Sequence, residues 1–181
     1  MSKTSEIVLS GSGGQGLILA GQILAEAVIK DGKNTVQTQS YGPEARGGAS
    51  KAEVIISEAE IDYPKVTHPD IILVMSNEAL LKYAGMLKPG GSLIIDTTYV
   101  KDLPSTQANV LAVPYSRIAK ETLNKEMVSN IVALGALAAF TGVVSKESLE
   151  TALMSRIPRG TEDLNQKALE LGWKSAGEAA A

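Results

Sequence analysis

The residues able to do chemistry gather at a few places in this chain. The densest is Gly11-Ser12-Gly13-Gly14-Gln15-Gly16, four glycines in six positions. Glycine admits φ > 0 and lets a ligand approach the backbone. A helix starting just after such a turn offers unpaired N–H groups and a partial positive charge to an anion. Gly11-x-Gly13-x-x-Gly16 therefore has the spacing of a nucleotide-binding fingerprint. Two familiar uses of it are disfavoured. Leu17 and Ile18 stand where a phosphate loop of the ATPase kind needs Lys and Ser or Thr. The second strand should end at Gln37-Thr38-Gln39-Ser40, which has no acid to hold a ribose hydroxyl. Asp31 comes before it and Glu44 after, which argues against ordinary NAD binding. The alternative is a glycine turn that serves only close strand–helix packing.

The other candidates for ligand binding are Tyr41, Arg46, Gly47 and Gly48 in a glycine-rich loop, then Ser76 and Asn77, then Asp96 and Thr97. Arg46 either clamps a carboxylate or phosphate or is a solvated loop residue. Ser76 and Asn77 either contact a ligand or cap a helix. Asp96 either holds a ribose hydroxyl or binds local backbone. With Thr98, Tyr115 and Ser116 these residues form a set rich in hydroxyls and backbone donors, and poor in acid–base groups. Such a set suits holding a polar or anionic ligand rather than moving protons. His68, the one histidine, lies between Thr67 and Pro69 and reads as a surface residue. No catalytic group and no metal cluster can be assembled. The absence of cysteine removes disulfides, thiolate-held clusters and a cysteine nucleophile.

The elements that must position these residues follow from the apolar pattern. Ile7-Val8-Leu9 is a buried strand and leads through the glycines into a helix from Gly16 to Lys30, stopped by Asp31-Gly32. A second strand spans Asn34 to Gln39 and a third Ala52 to Ser57. The glycine-rich link between them is too short and broken for a crossover helix, so the third strand runs antiparallel or the loop crosses over without a helix. Ile71 to Met75 is a central strand, followed by a short helix to Ala84. Strands at Ser92–Ile95 and Val110–Val113 complete the sheet. Helices follow at Arg117–Leu123, Met127–Phe140, Glu147–Met154 and Glu162–Leu171. The fold class is α/β: a doubly wound, Rossmann-like, mostly parallel sheet with C-terminal helices. In such sheets the ligand lies outside the carboxyl ends of the strands, which is where the candidate residues fall. Met127–Phe140 is apolar on most sides and thin, so it is either core or an interface helix.

Composition sets further limits. The 181 residues read as one domain, with a core from about 6 to 173 and a frayed tail over 174–181. Net charge is −3 with no basic block, and Phe and Trp occur once each, which argues against a nucleic-acid partner. No apolar run approaches the roughly 18 residues of a membrane span. The polar start, Met1 to Glu6, lacks a signal-peptide core, so a cytoplasmic location is expected.

Taken together, the motifs are familiar. Gly11-Ser12-Gly13-Gly14-Gln15-Gly16, joined to Ser40-Tyr41-Gly42-Pro43-Glu44 and Arg46-Gly47-Gly48, resembles the gamma subunit of the 2-oxoacid:ferredoxin oxidoreductases. The Pro89-Gly90-Gly91 turn and the Asn165-Gln166-Lys167-Ala168 helix before Gly172 resemble it too, so the likeness runs from about Glu6 to Trp173. In size the chain is most similar to the separate gamma chain of the 2-oxoglutarate enzymes. The pyruvate and branched-chain (ketoisovalerate) enzymes and the small subunit of indolepyruvate oxidoreductase share the motifs. The resemblance implies a non-catalytic subunit, inactive alone, of a complex that converts a 2-oxoacid to its acyl-CoA and reduces ferredoxin. It implies alpha and beta partners and a ferredoxin-like delta subunit. Thiamine diphosphate and iron–sulfur clusters would lie on those partners, and coenzyme A at a shared site. The alternative is a free-standing nucleotide- or CoA-binding protein. Self-association of the isolated chain is left open.

Overall fold

The computed structural model describes residues 4–40, 49–103 and 105–180. The strands are β1 (Thr4–Ser12), β2 (Asn34–Ser40), β3 (Ala49–Ser57), β4 (Ile71–Val74), β5 (Ser92–Asp96) and β6 (Asn109–Val113). They form one sheet in the order β2-β3-β1-β4-β5-β6. β1 pairs in parallel with β4, β4 with β5, and β5 with β6. β3 is the exception and lies antiparallel between β1 and β2. The link from Ser40 to Ala49 is too short for a parallel crossover, so the chain turns back and β3 takes the place beside β1. The antiparallel alternative is the one the protein adopts.

The central strands explain themselves by composition. Ile7, Val8 and Leu9 of β1 and the whole of β4 are buried, because helices and loops cover both faces of the sheet. Ile7 and Leu9 face a large cluster with helices α1 (Leu17–Lys30), α3 (Tyr115–Leu123), α4 (Ser129–Thr141), α5 (Lys146–Arg156) and α6 (Glu162–Ala180). Val8 faces the opposite, smaller cluster with α2 (Asn77–Tyr83) and Val66. The strand period of two sends neighbours to opposite faces, as β geometry requires.

α4 is the pivot of the thicker layer. Every residue from Ser129 to Ala138 is buried within the chain, which decides for a core helix over an interface helix. Its small residues let α6 approach closely. A Cβ on Gly135 would lie 2.4 Å from the Leu169 carbonyl oxygen, and one on Gly172 only 1.8 Å from that of Val132. Only glycine fits at either point of the crossing.

α6 also runs further than its sequence suggests. Where fraying is expected from residue 174, the helix continues to Ala180. Ser175 and Ala176 are buried, and Ser175 Oγ donates to the Gly172 carbonyl at 2.8 Å. Small side chains read as a polar tail, but here they are what lets this part of the helix pack. Among the described residues no helix is long and apolar enough to cross a membrane.

Candidate functional site

The glycine turn joins β1 to α1. Gly16 caps α1 in the left-handed conformation, φ 72°, and no side chain caps the helix. No acid stands in the first turn, so nothing of the helix's own neutralises its positive end. Asn130 of α4 donates from Nδ2 to the Gly16 carbonyl at 2.9 Å, and a Cβ on Gly16 would fall 2.5 Å from that nitrogen. Gly16 is therefore fixed both by conformation and by close approach. Gly14, φ 88°, is exposed with open space around it.

Gln15 is a brace. Its Oε1 accepts from the Ser12 amide at 2.7 Å and its Nε2 donates to the Met75 carbonyl at 3.1 Å, tying the end of β1 to the end of β4. A Cβ on Gly11 would strike Oε1 at 2.3 Å, so the first glycine makes room for the brace.

The strand-end residues divide. Ser76 Oγ accepts from the Ala79 amide at 3.2 Å and caps α2. Asp96 is fully buried and bound locally. Its Oδ1 accepts from the Thr98 amide at 2.9 Å, and its Oδ2 from the Ser116 hydroxyl at 2.6 Å and the Ser116 amide at 3.2 Å. The Thr97 amide donates to the Val113 carbonyl at 3.1 Å. Tyr115 turns into the core, fully buried, with a hydroxyl that has no partner among the described residues. Burial, aided by the Asp96 carboxylate, pushes its phenol far above the ordinary range, so it stays neutral.

A cavity of about 480 Å³ opens at this edge of the sheet. Ser12, Gly14, Gln15, Ser76 and Asn77 all line it, together with Ser116. Gly11, Gly13 and Gly16 shape the turn, while Asp96 and Thr97 are engaged elsewhere. Tyr41, Arg46, Gly47 and Gly48 lie outside the described residues. The segment that carries them leaves β2 at Ser40 and returns at Ala49, which pairs with Ser12 beside the turn.

The cavity also holds residues that the sequence did not point to, chiefly Glu78, Tyr99, Glu126 and Met127. Glu78 is one step past Asn77 and Tyr99 three past Asp96, so looking further beyond each strand end would have found both. Glu126 and Met127 belong to a 3-10 turn, residues 126–128, and carry no strand-end signal. The Tyr99 hydroxyl donates to Glu126 Oε1 across the cavity. That bond, with burial and the Glu126 charge behind it, raises the Tyr99 phenol above its ordinary value. Among the described lining residues there are two carboxylates and no Lys or Arg. The cavity thus shares one lining between residues of the glycine turn and the carboxylates of Glu78 and Glu126.

Residues 6–175 match the family described as pyruvate ferredoxin/flavodoxin oxidoreductase. The chain belongs to this family. Within the oxidoreductase family it is 49% identical over 176 residues to the 2-oxoglutarate synthase subunit KorC of Methanocaldococcus jannaschii, spanning 96% of this chain and 94% of that protein. The gamma subunit of a keto/oxoacid ferredoxin oxidoreductase from Geobacter sulfurreducens superposes with a TM-score of 0.88 at 50% identity, over 96% of this chain and 99% of that one. A 2-oxoglutarate:ferredoxin oxidoreductase from Magnetococcus marinus, solved with 2-oxoglutarate, coenzyme A and succinyl-CoA, shares the fold at TM-score 0.85 and 23% identity. It is matched over 97% of this chain and 31% of its own. The mostly parallel α/β sheet expected from sequence is the architecture these oxidoreductase subunits share.

Proposed function

We propose that this chain is the gamma subunit of a multisubunit 2-oxoacid:ferredoxin oxidoreductase in the cytoplasm, with 2-oxoglutarate as the 2-oxoacid. The observation that carries the reading is the 49% identity to a 2-oxoglutarate synthase subunit over nearly the full length of both chains. The alpha, beta and ferredoxin-like delta subunits are its partners. Thiamine diphosphate and iron–sulfur clusters belong to them, since this sequence has no cysteine to ligate a cluster.

Coenzyme A is the group that this reading assigns to the glycine turn of this chain. The uncapped start of α1 faces the turn with no side chain beyond Cα at Gly14 and Gly16, so backbone donors can meet phosphate oxygens there. Arg46, Gly47, Gly48 and Tyr41 are further candidates for ligand binding in this reading. When bound, coenzyme A supplies the thiol that accepts the acyl group. The role of this chain is to hold and orient it beside a catalytic centre on the partners.

The test has two parts. The pure chain, given 2-oxoglutarate, coenzyme A and a viologen, should show no turnover, while the complex isolated from the source cell should contain large subunits with thiamine diphosphate and iron. Turnover by the lone chain overturns the subunit reading. In the complex, Gly13→Val should weaken coenzyme A binding, because Gly13 is exposed on the turn and a branched side chain there fills the ligand's approach. Unchanged affinity for coenzyme A in an intact complex means that the turn serves packing alone.

A further inference from the structure

The mouth of the cavity carries large apolar side chains that nothing among the described residues covers. Met127 is 77% exposed and Tyr99 45%, and both belong to the lining. Leu81, 86% exposed, lies one turn of α2 beyond Asn77 and Glu78, on the same face of the helix, and those two residues line the cavity as well. Three exposed apolar side chains thus gather around one opening whose rim is polar. A patch of this kind marks a contact with another protein. The inference drawn from it rests on the subunit reading just proposed, which requires such a contact, and not on coenzyme A.

The charge of the lining decides what a partner brings to it. Glu78 and Glu126 are both present, with no Lys or Arg among the described lining residues. Glu126 is partly buried, and the Tyr99 hydroxyl donates to its Oε1, which fixes the direction of the side chain. Covering two carboxylates with another protein's surface strips water from them, and that is costly unless a cation meets them. A metal ion is disfavoured, because among the described residues no group of three His, Asp or Glu could hold one. A Lys or Arg side chain fits on both counts. Its head supplies charge-assisted donors to the carboxylates, and its stem packs against the Tyr99 ring and Met127.

We propose that the mouth of this cavity is a docking surface for a partner subunit of the oxidoreductase, which inserts a Lys or Arg side chain against Glu126 and Glu78 and covers Leu81, Tyr99 and Met127 with apolar side chains. The carboxylates select a basic partner surface and repel an acidic one. The apolar rim keeps water from the ion pair once it has formed.

The experiment measures the affinity of the full chain for the remaining subunits of the complex, by calorimetry at several salt concentrations. Glu126→Gln keeps an acceptor for Tyr99 and removes the charge. Combined with Glu78→Gln it should weaken association by at least about 10-fold and flatten its salt dependence, since the loss is of a charge pair. Leu81→Ser with Met127→Ser should also weaken association but leave the salt dependence as it is. Glu60→Gln is the control. It removes an exposed carboxylate beyond β3, whose last residue Ser57 pairs with Thr4, at the edge of the sheet away from the glycine turn. It should bind like the parent. Thermal melts of each lone variant show whether it folds as the parent does. Parental affinity and salt dependence after loss of both carboxylates overturns the proposal. So does a lowered melting temperature of that lone variant with association intact, which means that the cation belongs to this chain itself. If the parent chain associates with no other subunit, the subunit reading falls, an outcome distinct from failure of the docking surface alone.

Discussion

Replacing Gly172 with alanine probes the closest approach in the fold. A Cβ there would lie 1.8 Å from the Val132 carbonyl oxygen and 2.9 Å from the Ala136 amide nitrogen. Both are backbone atoms of α4, so no change of rotamer clears them. α6 must draw back from α4 by at least about 1 Å to reach a tolerable separation, and a close-packed interior cannot absorb that locally. The retreat loosens Val132, Ala136 and Leu169, all fully buried. Overpacking of this kind costs up to about 3 kcal/mol. Alanine returns about 1 kcal/mol through its better helix propensity. The net expectation is a loss of about 2 kcal/mol, equivalent to a Tm about 4–8 °C lower for a chain of this size. Gly177→Ala is the control: the same helix and the same substitution, but with nothing within 4 Å of the added atom. It should leave stability unchanged or raise it by up to about 1 kcal/mol. Urea unfolding followed by circular dichroism measures both. Equal stability of the two variants would show that α4 and α6 do not meet backbone to backbone.

Two further outcomes follow from buried or paired carboxylates. Hydrogen bonds from Ser155 and then Arg156 hold the Glu26 carboxyl below its reference value of 4.5, against the opposing effect of burial. A depressed pKa means stability that is present above pH 4.5 and lost as pH falls through the folded value. Glu26→Gln should therefore cost up to about 1 kcal/mol at pH 7, and the gap to the parent should close on acidification; thermal melts showing an undiminished gap at about pH 3 contradict the tie between α1 and α5. Asp96→Asn sets an amide N–H₂ against donors that now meet carboxylate oxygens, and should cost about 2 kcal/mol by urea unfolding. A neutral result there shows that Asp96 is not the knot between the β5 loop and α3.

Local signals made much of the fold readable. The Ile7–Leu9 run, the glycine turn, α1 up to Asp31 and the continuous apolar β4 are each specified by neighbours in sequence. What sequence leaves open is set by distant contacts. Burial of α4 depends on Gly172 and Leu169 of α6, more than thirty residues on, and α6 reaches Ala180 because Ser175 and Ala176 find a surface to pack on. In the site, Ser12, Gly14, Gln15, Ser76 and Asn77 could be named because they follow strand ends. Asp96 looks the same in sequence, yet Ser116, twenty residues away, takes one of its oxygens. Glu126 enters the cavity from a turn that no period or motif marks.

The position of β3 also dictates an order of assembly. β1 and β2 flank α1 in sequence but never touch in the sheet, since β3 lies between them. A nascent chain that has released only residues 4–40 therefore holds two strands with no partner for each other. The short link from Ser40 to Ala49 makes the β2–β3 hairpin the cheapest pairing to close, because loop entropy rises with length. β1 then docks on β3 across the α1 excursion, and its free edge becomes the template for β4, with β5 and β6 following outward. A fragment ending before Lys51 has no route into the sheet, whereas one that includes Ser57 can already form its first three strands. On the ribosome, the sheet starts to grow when β3 emerges, not when the glycine turn does.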